Sequence, residues 1–311
     1  MKICMVGLGS IGQRHFHNIG KVLSERGIAY TIDALRVKGK ETDNEIEQSL
    51  AGTYHRVDAM PDDYDVIFVT NPTVFHYETV KQLIHKTRHL FIEKPVFDKP
   101  RDTGCFDLKN GVRYVACPLR HKQVIRYIKE LVEQGEEFHS VRAISSSYLP
   151  DWRKGVDYRK VYSADKRMGG GVELDLIHEW DYLVYLFGMP EKMYKLVGRC
   201  SALEIDAEDI AVYIAKYADK MLELHLDYFG TETVRVLELM GDQKKYIVDI
   251  HHNVIKIIER NKEEKRMDFG QDDFYLSEME YFFDRIERGE KSFNEMDCAN
   301  DLMKLVLEEQ G

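Results

Sequence analysis

Met1-Lys2-Ile3-Cys4-Met5-Val6-Gly7-Leu8-Gly9-Ser10-Ile11-Gly12 is the stretch that decides the fold. Ile3 to Val6 is a short apolar run that ends at a glycine, as a buried strand does. Ser10 to Arg26 reads as a helix ended by Gly27. Between them the glycines fall in the order GxGxxG. In a strand–turn–helix this spacing is the dinucleotide-binding turn. Gly7 permits the tight turn, Gly9 lets a pyrophosphate approach the backbone, and Gly12 lets helix and strand pack closely. The phosphates then rest on the helix N-terminus, on the free N–H groups around Ser10 and Ile11.

Further along, Tyr30–Leu35, Asp65–Thr70, Leu90–Ile92 and Val112–Ala116 read as more strands between helical stretches. Such alternation implies parallel pairing with crossover helices. After about residue 120 the texture changes. A helix is expected from His121 to Gln134. Alternating strands then follow at 141–148, 193–201, 210–217, 222–227, 234–240 and 246–250, which suggests an open, mostly antiparallel sheet with one covered face. One helix, Val172 to Phe187, interrupts them, and two more close the chain near 277–288 and 295–309. The expected architecture is α/β in two domains. Residues 1–118 form the Rossmann domain and residues 119–311 a second α/β domain, with the last helix packing back on the first. Val212 and Ile214 alternate with Tyr213 and Tyr217, so both faces of that sheet carry apolar or aromatic groups. This predicts a homo-oligomer, a dimer or tetramer, built by packing of the sheet face.

Composition narrows the function. Hydrophobic residues make up 44% of the 311 and the net charge is -10, which suits a globular protein and disfavours nucleic acid as partner. Five cysteines without a CxxC pair argue against a disulfide framework and a structural zinc site, and no metal is expected. Reduced thiols, no signal-peptide layout and no apolar stretch near ~20 residues lead to the expectation of a cytoplasmic protein without a membrane partner.

Four further motifs could carry chemistry. Arg36, with Lys38 and Lys40 after it, ends the second strand, where an acidic group reads a ribose 2′-hydroxyl and Arg accepts a 2′-phosphate. The choice is thus NAD or NADP, leaning to NADP. Asp33 is the acidic alternative if that strand ends early. Thr70-Asn71-Pro72-Thr73 follows a buried strand, at the strand ends that face a ligand crevice. Glu93-Lys94-Pro95 follows another. Proline keeps Lys94 extended, so its ammonium could point at a ligand. Gly169-Gly170-Gly171 precedes Asp175, His178, Tyr182 and Tyr185, spaced to share one helix face. A His beside a carboxylate is a ready general base. Without other context, each motif also has a plain reading as a turn or a packed helix face.

Together these residues resemble the Gfo/Idh/MocA oxidoreductases, the family of glucose-fructose oxidoreductase and inositol 2-dehydrogenase. The resemblance rests on GLGSIG at 7–12, TNPT at 70–73, EKP at 93–95 and GGGVELDLIHEWD at 169–181. It implies that Lys94 contacts nicotinamide and substrate, that Asp175 and His178 act in proton transfer, and that Arg120 binds substrate. Many members have four residues from Asp to His, whereas here the step is three. Tyr148-Leu149-Pro150-Asp151-Trp152-Arg153 and Asp157-Tyr158-Arg159 resemble a subgroup tied to surface-sugar or nucleotide-sugar biosynthesis. From the residues alone, Trp152 offers a stacking face for a sugar, with Tyr158 beside it, and Arg153 and Arg159 could hold phosphate or carboxylate.

The expected function is therefore hydride transfer between nicotinamide and a hydroxyl-bearing carbon of a sugar, sugar nucleotide or related polyol. The alternatives are a non-catalytic NAD(P)-binding sensor, and elimination or hydrolysis of a sugar assisted by NAD. Lys94 and His178 favour the enzyme, because a sensor needs neither.

Overall fold

The computed structural model describes residues 1–39, 43–108 and 110–308. Lys40 and the expected helix end at Glu309 lie outside them. The chain divides into two compact units, residues Met1–Cys117 with Tyr275–Lys304, and Pro118–Phe274 with Leu305–Gly311.

In the first unit the order is β1 (Lys2–Val6), α1 (Ser10–Glu25), β2 (Thr31–Leu35), α2 (Asn44–Ser49), β3 (Gly52–Tyr54), β4 (Tyr64–Val69), α3 (His76–Leu83), β5 (Thr87–Ile92) and β6 (Arg113–Val115). The six strands form one sheet in the order β3-β2-β1-β4-β5-β6, and every pairing is parallel. This is the doubly wound order of a Rossmann fold, with its switch point between β1 and β4. Ile3, Met5, Val66, Phe68, Phe91 and Tyr114 are buried in one core. A sheet buried on both faces needs such unbroken apolar runs.

The second unit begins with α4 (Gln123–Glu133) and β7 (Ser140–Tyr148), followed by short turns of 3₁₀ helix. Next come α5 (Val172–Asp175), α6 (Ile177–Phe187), β8 (Lys192–Gly198), β9 (Ile210–Lys216), β10 (Met221–Asp227), β11 (Phe229–Met240), β12 (Lys244–Asp249), β13 (Val254–Glu259) and β14 (Lys265–Asp268). These eight strands make an open sheet, β14-β13-β12-β11-β7-β10-β9-β8. It is antiparallel except between β7 and β10. One face is covered. Trp180 of α6 meets Tyr213 of β9 edge-on at 5.4 Å, and Leu222, Leu224 and Leu226 are fully buried. The other face is open, with Ile144, Tyr194, Leu196, Ile214 and Met221 exposed.

The closing helices are α7 (Phe274–Arg288) and α8 (Met296–Leu307), most of whose residues belong to the first unit. Phe282 of α7 packs edge-on against Phe68 and Phe91 at 5.7 and 5.3 Å. Each such aromatic pair contributes about 0.5–1.5 kcal/mol beyond burial.

Two sequence expectations are corrected. The helix expected from Val172 to Phe187 is two helices, because Leu176 leaves helical geometry at φ −96°, ψ 21°. Asp175 thus ends one helix while His178 lies in the first turn of the next, and the single face from Asp175 to Tyr185 is broken. The fourth helix starts at Gln123 rather than His121, after a 3₁₀ turn over Pro118–His121.

Candidate active site

The glycine turn in the first unit has the shape a dinucleotide requires. Gly7 adopts φ +92°, where a side chain is strained, and a Cβ there would press on the Asn71 backbone at 3.0 Å. A Cβ on Gly12 would meet the Gly7 carbonyl oxygen at 2.5 Å. Around Gly9 a Cβ would find nothing within 4 Å, so the backbone is open there. Gly9 caps α1 with no side-chain hydrogen bond, and the first turn holds no acidic residue. Ser10 and Ile11 open the helix, leaving its N–H groups and dipole available to an anion. These features fit a pyrophosphate.

Thr70 and Asn71 close this turn from β4. Thr70 Oγ1 donates to the Gly7 carbonyl at 2.7 Å. Asn71 Nδ2 donates to Thr79 Oγ1 at 2.8 Å, while its Oδ1 is buried and without a partner among the described residues. An unsatisfied buried acceptor is costly and suits a site that a ligand completes. Pro72 is the N-cap of the 3₁₀ turn that leads into α3.

Glu93 and Lys94 follow β5, and the Lys94–Pro95 peptide is cis. Glu93 Oε1 meets His15 Nε2 at 2.5 Å, and its Oε2 accepts the Lys94 backbone N–H at 3.1 Å. Burial opposes the Glu93 charge, but the His15 hydrogen bond and the charges of His15 and Lys94 outweigh it, so its pKa lies below the carboxylate norm. His76 adds a second tie. Its Nε2 lies 2.8 Å from the Asn71 carbonyl and its Nδ1 3.0 Å from that of Pro95. Burial keeps His76 below its ordinary pKa. Sequence reasoning missed both histidines. His15, one turn past Gly12 on α1, was the more visible.

After the end of β2, Arg36 is paired with Glu47 of α2 at 2.5 Å. Asp33 is corrected as a ribose reader. The strand runs on to Leu35, and Asp33 is buried within it, accepting a hydrogen bond from Tyr64 at 2.8 Å.

In the second unit, Asp175 collects three hydroxyls. Ser163 Oγ donates at 2.6 Å and Tyr228 at 3.3 Å, and Tyr162 also donates. Burial, followed by the Asp175 charge, raises the Tyr162 and Tyr228 phenols far above their ordinary range, so they stay protonated donors. His178 meets different neighbours. Its Nε2 lies 3.1 Å from Arg235 Nη2 and 3.3 Å from Glu179 Oε1. Arg235 Nε also donates to Glu179 Oε1 at 2.7 Å. Glu179 is fully buried, which disfavours its charge, yet Arg235 and His178 hold its pKa below normal. Arg235 lies 56 residues away on β11 and carried no local signal.

Arg120 is directed elsewhere. Its Nε and Nη2 form a two-pronged pair with Asp181, both at 2.8 Å, and its guanidinium stacks on Tyr185 at 5.1 Å. Buried as it is, Arg120 ties the 3₁₀ turn at Pro118–His121 to α6.

Trp152, Arg153, Tyr158 and Ser163 line a small, open surface cleft, with Leu149 and Val156 as apolar walls. Trp152 stands edge-on to Tyr228 at 5.3 Å and donates to Ser147. Arg159 does not line the cleft. It is half-exposed and pairs with Asp157 at 2.8 Å and Glu204 at 2.7 Å.

Comparison with known proteins matches both units. Residues 1–109 match the oxidoreductase family with NAD-binding Rossmann fold, and residues 125–246 match the GFO/IDH/MocA C-terminal domain. The uncharacterized oxidoreductase YrbE of Bacillus subtilis (strain 168) is 30% identical over 192 residues, 59% of this chain. The match spans about half of that relative, 53% of its length. Levoglucosan dehydrogenase in its apo form superposes with a TM-score of 0.84 at 13% identity, covering 97% of this chain and 94% of that one. UDP-N-acetylglucosamine 3-dehydrogenase GnnA from Acidithiobacillus ferrooxidans superposes with a TM-score of 0.78 at 18% identity, covering 99% and 95%. At such identities these two likenesses concern the fold. The chain therefore belongs to the Gfo/Idh/MocA oxidoreductase family, with its NAD-binding Rossmann domain and its C-terminal domain.

Proposed function

We propose that this protein is an NAD-dependent dehydrogenase that oxidises a hydroxyl-bearing carbon of a sugar or sugar nucleotide, or reduces the corresponding ketone. The first unit serves as cofactor domain and the second as substrate domain. The observation that carries the proposal is the state of His178. Its side chain keeps 13% exposure at the end of a charged cluster whose carboxylate, Glu179, has none. A protein that only held the dinucleotide would gain nothing from this arrangement.

Bound NAD supplies the hydride acceptor. Gly7, Gly9, Ser10, Ile11 and Gly12 hold its pyrophosphate, and Thr70, Asn71, Pro72 and Glu93 shape the crevice at the strand ends. His178 takes the hydroxyl proton, since an imidazole with a reference pKa of ~6.5 accepts protons near neutrality. Lys94 donates a hydrogen bond to the same oxygen and stabilises its developing negative charge. Asp175 orders Tyr162, Ser163 and Tyr228 behind the cleft. Trp152 and Tyr158 present faces to the sugar ring. No carboxylate pairs with Arg153 among the described residues, which suits it to a phosphate or carboxylate on the substrate.

The Arg36–Glu47 pair supports NAD over NADP, because a 2′-phosphate would meet the Glu47 carboxylate. A second copy of the chain would cover the open sheet face. The expected setting is the cytoplasm, where thiols stay reduced.

The test is NAD reduction, followed by NADH absorbance, with a panel of free sugars, sugar acids and nucleotide sugars, repeated with NADP. Turnover of at least one sugar with NAD supports the proposal. NADH binding without turnover of any panel member, in either direction, would point to the sensor.

A further inference from the structure

We propose that His15 is a positioning residue: through Glu93 it ties the peptide of Lys94 to α1, the helix whose N-terminus receives the pyrophosphate. The proposal rests on the role of Lys94 in the function above, and it concerns the first unit alone.

α1 turns one stripe toward the core, formed by Gly12, His15, Ile19, Val22 and Leu23. An amphipathic helix fills such a stripe with apolar groups, and four of these five are glycine or aliphatic. At the fifth place the chain has an imidazole with no exposure, whose Nδ1 is buried and without a partner among the described residues. Native interiors leave few polar atoms unpaired, so the exception calls for a task that leucine could not perform. That task belongs to the other ring nitrogen. His15 Nε2 lies 2.5 Å from Glu93 Oε1. Phe91, on β5 just before Glu93, meets the ring edge-on at 4.9 Å, and Phe68 of β4 lies 6.4 Å from it. These aromatic walls hold the orientation of the imidazole.

Glu93 is the link. It is buried and keeps its charge, and a carboxylate only accepts hydrogen bonds. Nε2 therefore carries the hydrogen of the shared bond, and none is required on Nδ1. The second oxygen, Oε2, accepts the Lys94 backbone N–H at 3.1 Å. One carboxylate thus joins the second turn of α1 to the peptide that bears the Lys94 side chain, across 78 residues of sequence. Without a donor at Oε1 the buried carboxylate would turn toward water or take up a proton. Either change loosens its hold on the Lys94 peptide.

A lysine that stabilises charge on a substrate oxygen acts only from a fixed place relative to the cofactor. α1 receives the pyrophosphate at its first turn and holds the Lys94 peptide from its second. Both are thereby referred to one rigid element.

The test begins without substrate, by NMR of the nucleotide-free full chain labelled with ¹⁵N-lysine and ¹⁵N-histidine. The Lys94 amide is identified by its loss in Lys94→Arg, and the His15 ring by its loss in His15→Gln. Wild-type His15 should carry a hydrogen on Nε2, and the Lys94 amide should exchange slowly. His15→Leu fills the stripe but removes the donor, and should speed that exchange by about tenfold or more. In His15→Gln the side-chain nitrogen stands as many bonds from Cα as histidine Nε2, so donor and slow exchange should return. A packing role alone would make leucine the better replacement. Should His15→Leu fail to fold, the wild-type ring and His15→Gln decide. An Nε2 without hydrogen, an exchange rate unmoved by His15→Leu, or a fast exchange in His15→Gln overturns the proposal. With a sugar that is oxidised, His15→Leu should lower kcat by about tenfold or more while NADH affinity stays within about twofold of wild type, and a wild-type kcat likewise overturns it. A panel with no oxidised sugar counts against the function above and leaves the exchange result standing, so the two readings fail separately.

Discussion

Gly9 and Gly12 should respond to alanine in opposite ways, although both belong to one motif. A Cβ on Gly12 would stand 2.5 Å from the Gly7 carbonyl oxygen, about 0.9 Å inside ordinary contact. The obstacle is backbone, fixed by the Thr70 hydrogen bond at 2.7 Å, so it yields only by moving the turn. Overpacking of this kind costs ~1–3 kcal/mol, and losing the Thr70 bond adds about 1 kcal/mol. Gly12→Ala should therefore lower the unfolding free energy of the nucleotide-free protein by roughly 2–4 kcal/mol by those terms. A Cβ on Gly9 meets nothing within 4 Å, and φ there is −71°, which alanine adopts freely. Gly9→Ala should leave that free energy within about 0.5 kcal/mol of wild type, as unstrained surface changes do. The same methyl would occupy the space into which the pyrophosphate comes. NADH affinity should fall at least tenfold, about 1.4 kcal/mol. Urea unfolding without nucleotide and NADH fluorescence titration give the two numbers. Wild-type NADH affinity in a stable Gly9→Ala would refute the reasoning, since the open space would then not be where the cofactor lies.

Three further outcomes are expected. Asp181→Asn strands the Arg120 charge in a buried setting and should cost ~3–5 kcal/mol of stability, read from urea unfolding of the second unit. Glu93 has a folded pKa below its unfolded value, so its contribution is present above about pH 4.3 and is lost as pH falls through the folded pKa. Glu93→Gln should therefore flatten the acid limb of the stability–pH profile relative to wild type, and an unchanged limb would contradict this. Leu196 is 79% exposed on the open sheet face, so Leu196→Arg should turn a wild-type oligomer into monomer in sedimentation without changing the fold seen by circular dichroism.

Much of the first unit was legible because its signals are local. The strand before Gly7, the glycine spacing and the buried runs at β4 and β5 each depend on neighbours within a few residues. Short elements were not legible. The three-residue β3 and the six-residue α2 are too brief for a periodic pattern, and β14, Lys265–Asp268, is a polar edge strand with little to bury. The broken helix at Leu176 escaped because Val172 to Phe187 satisfies helical spacing throughout. The break follows from tertiary demands, since Asp175 is turned toward Tyr162, Ser163 and Tyr228 while His178 is turned toward Glu179 and Arg235. Residue types of the site could be read from motifs, but their partners could not. Arg120, Arg159 and Arg36 each look like free cations in sequence, and the structure pairs them with Asp181, Asp157 and Glu204, and Glu47.

The central claim is that Lys94 and His178 together move the hydroxyl proton of a sugar. Single-turnover NAD reduction by whichever panel sugar is oxidised tests it most directly, comparing wild type with Lys94→Ala and His178→Ala. Loss of a general base costs ~10²–10⁴ in rate, so each variant should slow the step by that order while NADH still binds. The double variant should lose less than the product of the two, because both groups act on one transfer. A His178→Ala variant that reduces NAD at the wild-type rate would contradict the account.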